Sequence, residues 1–312
     1  MNTNPSANTH LYGMNKFFNC IKDLYDKKKM PNKILLSGKK GLGKSTLAYH
    51  IINYILSVNE DFKYDEVNFN ININNRSFKL LQNQTHPNFY LIDLVDEKKN
   101  IDVGQVREMI TYTNKSSFNN MPRFILIDNI ENLNKNSVNA LLKIVEEPGN
   151  NIYFILVHNI EKKILPTLKS RCLQFKINFS FNETIDISNR IIGENIHNLI
   201  NFDLISHYNT PGDITGLINF SNEKKINIKD HSLSELLSIM IDNGYYKRNK
   251  ILKSLIINFI ELYFLKEYKA KTSKIILLNI YQNFINKINN SEIYNLDDES
   301  LFLEFKMRVL NE

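Results

Sequence analysis

"NKILLSGKKGLGKSTLAYHIINYILS", Asn32 to Ser57, has the pattern of a strand, a glycine loop and a helix. A short apolar run ends at Gly38, a glycine-rich segment follows, and apolar residues then recur at helical spacing. The middle satisfies G-x-x-x-x-G-K-[ST] through Gly38, Gly41, Gly43, Lys44, Ser45 and Thr46, in the required setting of a strand before and a helix after. Glycines there let backbone N–H groups converge on phosphate oxygens, and the N-terminus of the helix adds its positive dipole end. Lys44 is expected to reach the β- and γ-phosphates, and the Ser45 hydroxyl to ligate Mg2+.

Further along the chain, "NFYLIDL" (Asn88 to Leu94), "RFILIDN" (Arg123 to Asn129) and "IYFILVHN" (Ile152 to Asn159) are buried-strand candidates too. "NIDVGQVREMITYTN" and "NKNSVNALLKIVEEPG" read as helices between them. Strands alternating with helices predict a mostly parallel α/β sheet covered on both faces, closing near Phe175 to Asn178. Asp128 ends its strand where a P-loop protein places the carboxylate that holds Mg2+. The next residue, where hydrolytic members of that clan often have glutamate, is Asn129. An amide is no general base, and losing such a base lowers rates by roughly 10²–10⁴. Little turnover by the chain alone is therefore expected.

The strand pattern stops beyond the sheet. Short helical stretches run from Phe179 to Ile228, interrupted by "NTPGD" (Asn209 to Asp213). Four helical segments follow from His231, with breaks expected near Asn243–Gly244, Lys269–Thr272 and Asn289–Ser291. Apolar residues Ile251, Leu252, Leu255, Ile256, Phe259, Leu262 and Tyr263 cover a broad stripe, which calls for neighbours on several sides. The asparagine-rich "NFNININNRS" (Asn68 to Ser77) reads as a surface loop or small hairpin.

With 312 residues, 43% apolar and 23% charged, the chain has the composition of a globular protein large enough for two or three domains. A net charge of +6 spread over that length is weak support for a nucleic-acid binder. "DKKKM" (Asp26 to Met30) and "EKKN" (Glu97 to Asn100) read as solvated faces. The N-terminus has no signal-peptide pattern, and "LIINFIELYFL" (Leu255 to Leu265) is too short and polar to span a bilayer. Two cysteines, Cys20 and Cys172, support neither a disulfide framework nor a four-cysteine zinc site. A cytoplasmic location is expected.

"THPNFYLID" (Thr85 to Asp93), "NALLKIVEEP" (Asn139 to Pro148) and "LPTLKSRC" (Leu165 to Cys172) join the phosphate loop in a set. It resembles bacterial clamp-loader subunits of the AAA+ clan, the relatives of gamma/tau and delta-prime of DNA polymerase III. The likeness covers about Leu11 to Ile177, and beyond that it is one of helical character and length. It implies an AAA+ P-loop α/β domain at 1–178, a small helical lid at 179–230 and a helical collar at 231–312. It also implies that Arg171, in S-R-C, is an arginine finger serving the nucleotide of a neighbouring subunit. ATP or ADP with Mg2+ would be held by the phosphate loop, Ser45 and Asp128, with Asn129 adjoining. His158 or Asn159 would stand at a phosphate-sensing position.

Departures from the pattern narrow the role. The family's motor subunits pair the aspartate with glutamate, carry a sensor arginine near the counterpart of "TPGDITGL" (Thr210 to Leu217), and often hold zinc in the insertion matching Ser57 to Gln84. This chain has Asn129, no arginine in that turn and no cysteine in the insertion, so no zinc is expected. An intact finger beside a missing base implies a delta-prime type subunit without polymerase chemistry of its own. It would sit in a hetero-oligomeric ring with gamma/tau and delta, and meet the sliding clamp and primed DNA through that assembly. A gamma-type motor and a free-standing P-loop NTPase are the alternatives, and a plain DNA-binding protein is disfavoured by the weak charge excess.

Overall fold

In this computed structural model, the structure describes residues 4–95, 100–115, 119–146, 149, 151–247, 250–270, 274–294 and 297–310. "EKKN" therefore lies largely outside the described residues, as do Glu147 and Pro148 of "NALLKIVEEP". The chain divides into two compact units, residues 1–191 with 210–212, and residues 192–209 with 213–312.

The first unit is built on a parallel sheet of β1 (Lys33–Gly38), β2 (Phe89–Ile92), β3 (Arg123–Ile127), β4 (Ile152–Asn159) and β5 (Leu173–Lys176). Its order is β2-β3-β4-β1-β5, and each neighbouring pair is parallel. Alternate residues serve opposite faces. Leu36, Phe124, Leu126, Ile155 and Val157 pack with α1 (Asn15–Asp26) and α2 (Lys44–Leu56) on one side. Leu35, Ile125, Ile127, Phe154 and Leu156 pack with α4 (Val103–Asn114) and α5 (Lys135–Glu146) on the other. Two covered faces explain the near-continuous apolar runs in β1, β3 and β4. They also place the carboxyl ends of β1 to β4 along one rim, where α/β sheets bind ligands.

Three expectations need correction. The segment Leu173–Lys176 is an additional strand, pairing with β1 along one edge; its residues are exposed or half-buried, so it lacks the apolar run that marked the others. The asparagine-rich loop ends in α3 (Arg76–Gln82) rather than continuing as loop. Asn75 caps that helix by accepting from the Phe78 N–H at 2.6 Å, as asparagine commonly does. The break expected at Asn289–Ser291 is absent, because the last long helix runs to Tyr294. There the Ser291 hydroxyl donates to the Ile288 carbonyl at 2.9 Å, which keeps a polar residue compatible with the helix.

After α6 (Pro166–Lys169) and α7 (Phe181–Ile192), the second unit takes in α8 (Pro211–Lys224) from Asp213 onward, α9 (Leu233–Asp242), α10 (Lys250–Ala270), α11 (Lys274–Tyr294) and α12 (Asp298–Phe305). The "NTPGD" interruption is the entry to α8, which begins at Pro211. Leu252, Ile256, Phe259, Ile260, Leu262 and Phe264 of α10 are all buried. Their helix packs against α9 and α11, so the broad stripe has partners within its own bundle. Among the described residues no helix is long and apolar enough to cross a membrane.

His50 of α2 is buried in the first unit. Its Nε2–H donates to the Asn8 carbonyl at 3.0 Å, and Nδ1 accepts from the Tyr64 hydroxyl at 2.9 Å. Burial holds its pKa down at about 4, against an ordinary value of 6.5. The unfolded chain therefore binds a proton first on acidification, and stability present above pH 6.5 is lost towards pH 4. Between pH 7 and pH 5 this one group is expected to remove about 2 kcal/mol. Urea unfolding of His50→Gln at both pH values checks this, since the variant should show a flatter dependence than wild type.

Candidate nucleotide site and the surface arginine

The phosphate loop joins β1 to α2. Gly41 and Gly43 adopt left-handed backbone angles, with φ of 81° and 86°, which other L-residues adopt only with strain. The loop closes on itself where the buried Lys44 sends Nζ to the Lys39 carbonyl at 2.5 Å. Burial pulls this lysine down to about 8, although Asp128, Glu131 and Glu161 favour its charge. Ser45 Oγ donates to Asp128 Oδ2 at 2.5 Å, and the buried Thr46 follows on the first turn of α2. Thr210 to Gly212 lie against the same loop. The Gly212 N–H donates to the Gly41 carbonyl at 3.0 Å, and a Cβ added to Gly41 would sit 2.3 Å from Thr210 Oγ1.

Asp128 stands at the end of β3. Its second oxygen, Oδ1, accepts the Asn129 N–H at 2.8 Å. Burial first, and then the charge of Asp93, raise its pKa to about 6, against the pull of Ser45 and Lys44. Asn129 has a φ of 53°, a conformation asparagine tolerates better than most residues. Its Nδ2 donates to Asp93 Oδ1 at 2.7 Å. Asp93, at the end of β2, went unmarked in the sequence because nothing local distinguishes it from any polar residue ending a strand.

His158 and Asn159, at the end of β4, are not equivalent. His158 is buried, with Nδ1 on Ser37 Oγ at 3.0 Å and Nε2 on the Lys162 carbonyl at 2.8 Å. A carbonyl only accepts, so Nε2 carries the proton and both ring nitrogens are engaged within the fold. Asn159 is half-buried; its backbone N–H donates to Glu131 Oε2 at 3.0 Å and its Nδ2 to Glu161 Oε2 at 3.1 Å. Glu131 is thereby committed to a backbone amide. That pairing also escaped the sequence, since it joins residues from different loops.

The residues present fit a nucleotide and a hard cation. Left-handed glycines let the backbone turn tightly enough to approach a phosphate, Lys44 supplies a cation, and Ser45 with Asp128 offers oxygen donors. Mg2+ typically takes one or two such protein ligands and completes its shell with waters and phosphates.

Arg171 stands apart from this machinery, just past α6. The S-R-C turn is tied down locally: Ser170 Oγ donates to the Thr167 carbonyl at 3.1 Å and Cys172 Sγ to the Leu168 carbonyl at 3.3 Å. The arginine itself is exposed. Nη1 donates to the Thr167 carbonyl at 2.8 Å, and Nη2 pairs with Glu146 Oε1 at 2.8 Å.

Comparison with known proteins adds a family to this geometry. A family model described as DNA polymerase III, delta subunit, matches residues 13–180. A DNA polymerase III subunit delta' from Buchnera aphidicola subsp. Schizaphis graminum is 27% identical over 242 residues, covering 74% of this chain and 69% of that one. The subunit delta' of Pseudomonas aeruginosa is 32% identical over 99 residues, covering 32% of this chain and 30% of its own. Subunit gamma of the same Buchnera is 31% identical over 188 residues, covering 58% of this chain and 47% of its own. The match thus spans just over two thirds of one of these relatives and less than half of the other two.

Proposed function

The chain belongs to the DNA polymerase III delta subunit family, a clamp-loader family of AAA+ P-loop proteins, and from that premise we propose that it serves as a delta-prime type subunit. In this reading it binds ATP or ADP with Mg2+ through Gly41, Gly43, Lys44, Ser45, Thr46 and Asp128, and turns over little by itself. Its partners are gamma/tau and delta subunits in a hetero-oligomeric ring, and the sliding clamp and primed DNA through that ring. The observation that carries the reading is the surface position of Arg171. A guanidinium there can donate to a phosphate held by another subunit, as arginine fingers do.

Asn129 supports the same division of labour. Its amide cannot accept a proton, and it is bonded to Asp93. A glutamate in its place would set two carboxylates against each other, so Asn129→Glu alone is expected to leave the chain a poor ATPase. A steady-state assay of the purified variant checks this; turnover matching the assembled loader would contradict it.

The likeness to a gamma subunit and the complete phosphate loop favour a second reading, that of a gamma-type motor. Purified-chain turnover separates the two. The delta-prime reading expects negligible hydrolysis by this chain alone and a rise when it joins sister ATPase subunits. Robust turnover by the isolated chain would support the motor instead.

A further inference from the structure

We propose that Glu146 is a positioning residue for Arg171, an inference that rests on the finger reading of Arg171 given above. Glu146 is the last described residue of α5, and near a helix C-terminus the negative end of the dipole disfavours a carboxylate. Arg171 Nη2 stands beside it as a counter-charge at 2.8 Å. Lys33 holds the same end of the helix, reaching the Glu146 carbonyl at 3.4 Å. The other terminal nitrogen of Arg171, Nη1, is fixed by the Thr167 carbonyl at 2.8 Å.

Both partners of the pair are partly exposed, with side-chain accessibilities of 38% for Arg171 and 50% for Glu146, and such a pair adds little to stability. What it changes is the freedom of a long side chain. An arginine held at two of its nitrogens has fewer rotamers to lose when it meets a phosphate, while its remaining N–H groups stay available. The carboxylate therefore orients the guanidinium before any neighbour arrives.

The test is steady-state ATPase of the reconstituted loader, with this chain carrying Glu146→Gln, Arg171→Ala or both. Glu146→Gln is expected to lower kcat about 5- to 10-fold through lost preorganisation, with KM for ATP and subunit assembly unchanged. The double variant should fall no lower than Arg171→Ala alone, and Glu146→Asp should recover part of the loss. If Glu146→Gln matches or exceeds wild-type kcat while Arg171→Ala remains slow, the positioning role is overturned and the finger reading stands. Should Arg171→Ala itself keep full turnover, both fall together. An added loss in the double variant would likewise overturn the inference, since it would show Glu146 acting by a route other than Arg171.

Discussion

Replacing Arg171 with alanine is expected to lower the ATPase of the assembled loader about 10³-fold, the lower end of what arginine fingers contribute. The folded chain should scarcely register the change. Arg171 is exposed and its ion pair with Glu146 is partly solvated, so unfolding free energy should shift by no more than about 0.5 kcal/mol. The S-R-C turn keeps its remaining bonds, from Ser170 and Cys172 to carbonyls of α6. Arg171→Lys should retain most of the defect, because an ammonium keeps the charge but loses the planar fork. Turnover of the reconstituted complex, beside size-exclusion chromatography of the assembly, reads both effects. Unchanged turnover with intact assembly would remove the central support for the delta-prime reading.

Lys44→Met is expected to separate binding from folding. Nucleotide affinity should fall at least about 100-fold, since the variant loses charge-assisted bonds to phosphate. Stability should hold or rise by about 1 kcal/mol. The folded chain holds this ammonium where burial disfavours its charge and pulls its pKa down to about 8, and a methionine keeps the apolar stem without the desolvated head. The Lys39 carbonyl loses its bond from Nζ, which keeps the gain small. Urea unfolding and calorimetric titration with ADP and Mg2+ check the two halves independently. A clear loss of stability would make Lys44 chiefly a structural clasp for its loop.

The phosphate loop was legible because its signal is local: glycines, a lysine and a hydroxyl at fixed spacing between a strand and a helix. The strands β1, β3 and β4 were legible because both their faces are covered, which forces an unbroken apolar run. Strand β5 was not. Its four residues are exposed or half-buried at the sheet edge, and no pattern separates such a segment from loop. The expected break at Asn289–Ser291 failed for the converse reason. Asparagine and serine weaken a helix by local competition, but Ser291 is buried and satisfied inside the helix that contains it.

Periodicity and short motifs are properties of neighbouring residues, and they carried the layered α/β frame and the glycine-rich loop and marked Asp128, Asn129 and Arg171 as candidates. Packing between elements is what turns His158 inward, sets Asn159 at Glu131, bonds Asn129 to Asp93, and leaves Arg171 at the surface paired with Glu146. Each of those facts joins residues from separate elements, and a side chain's direction and partners follow from how the elements pack.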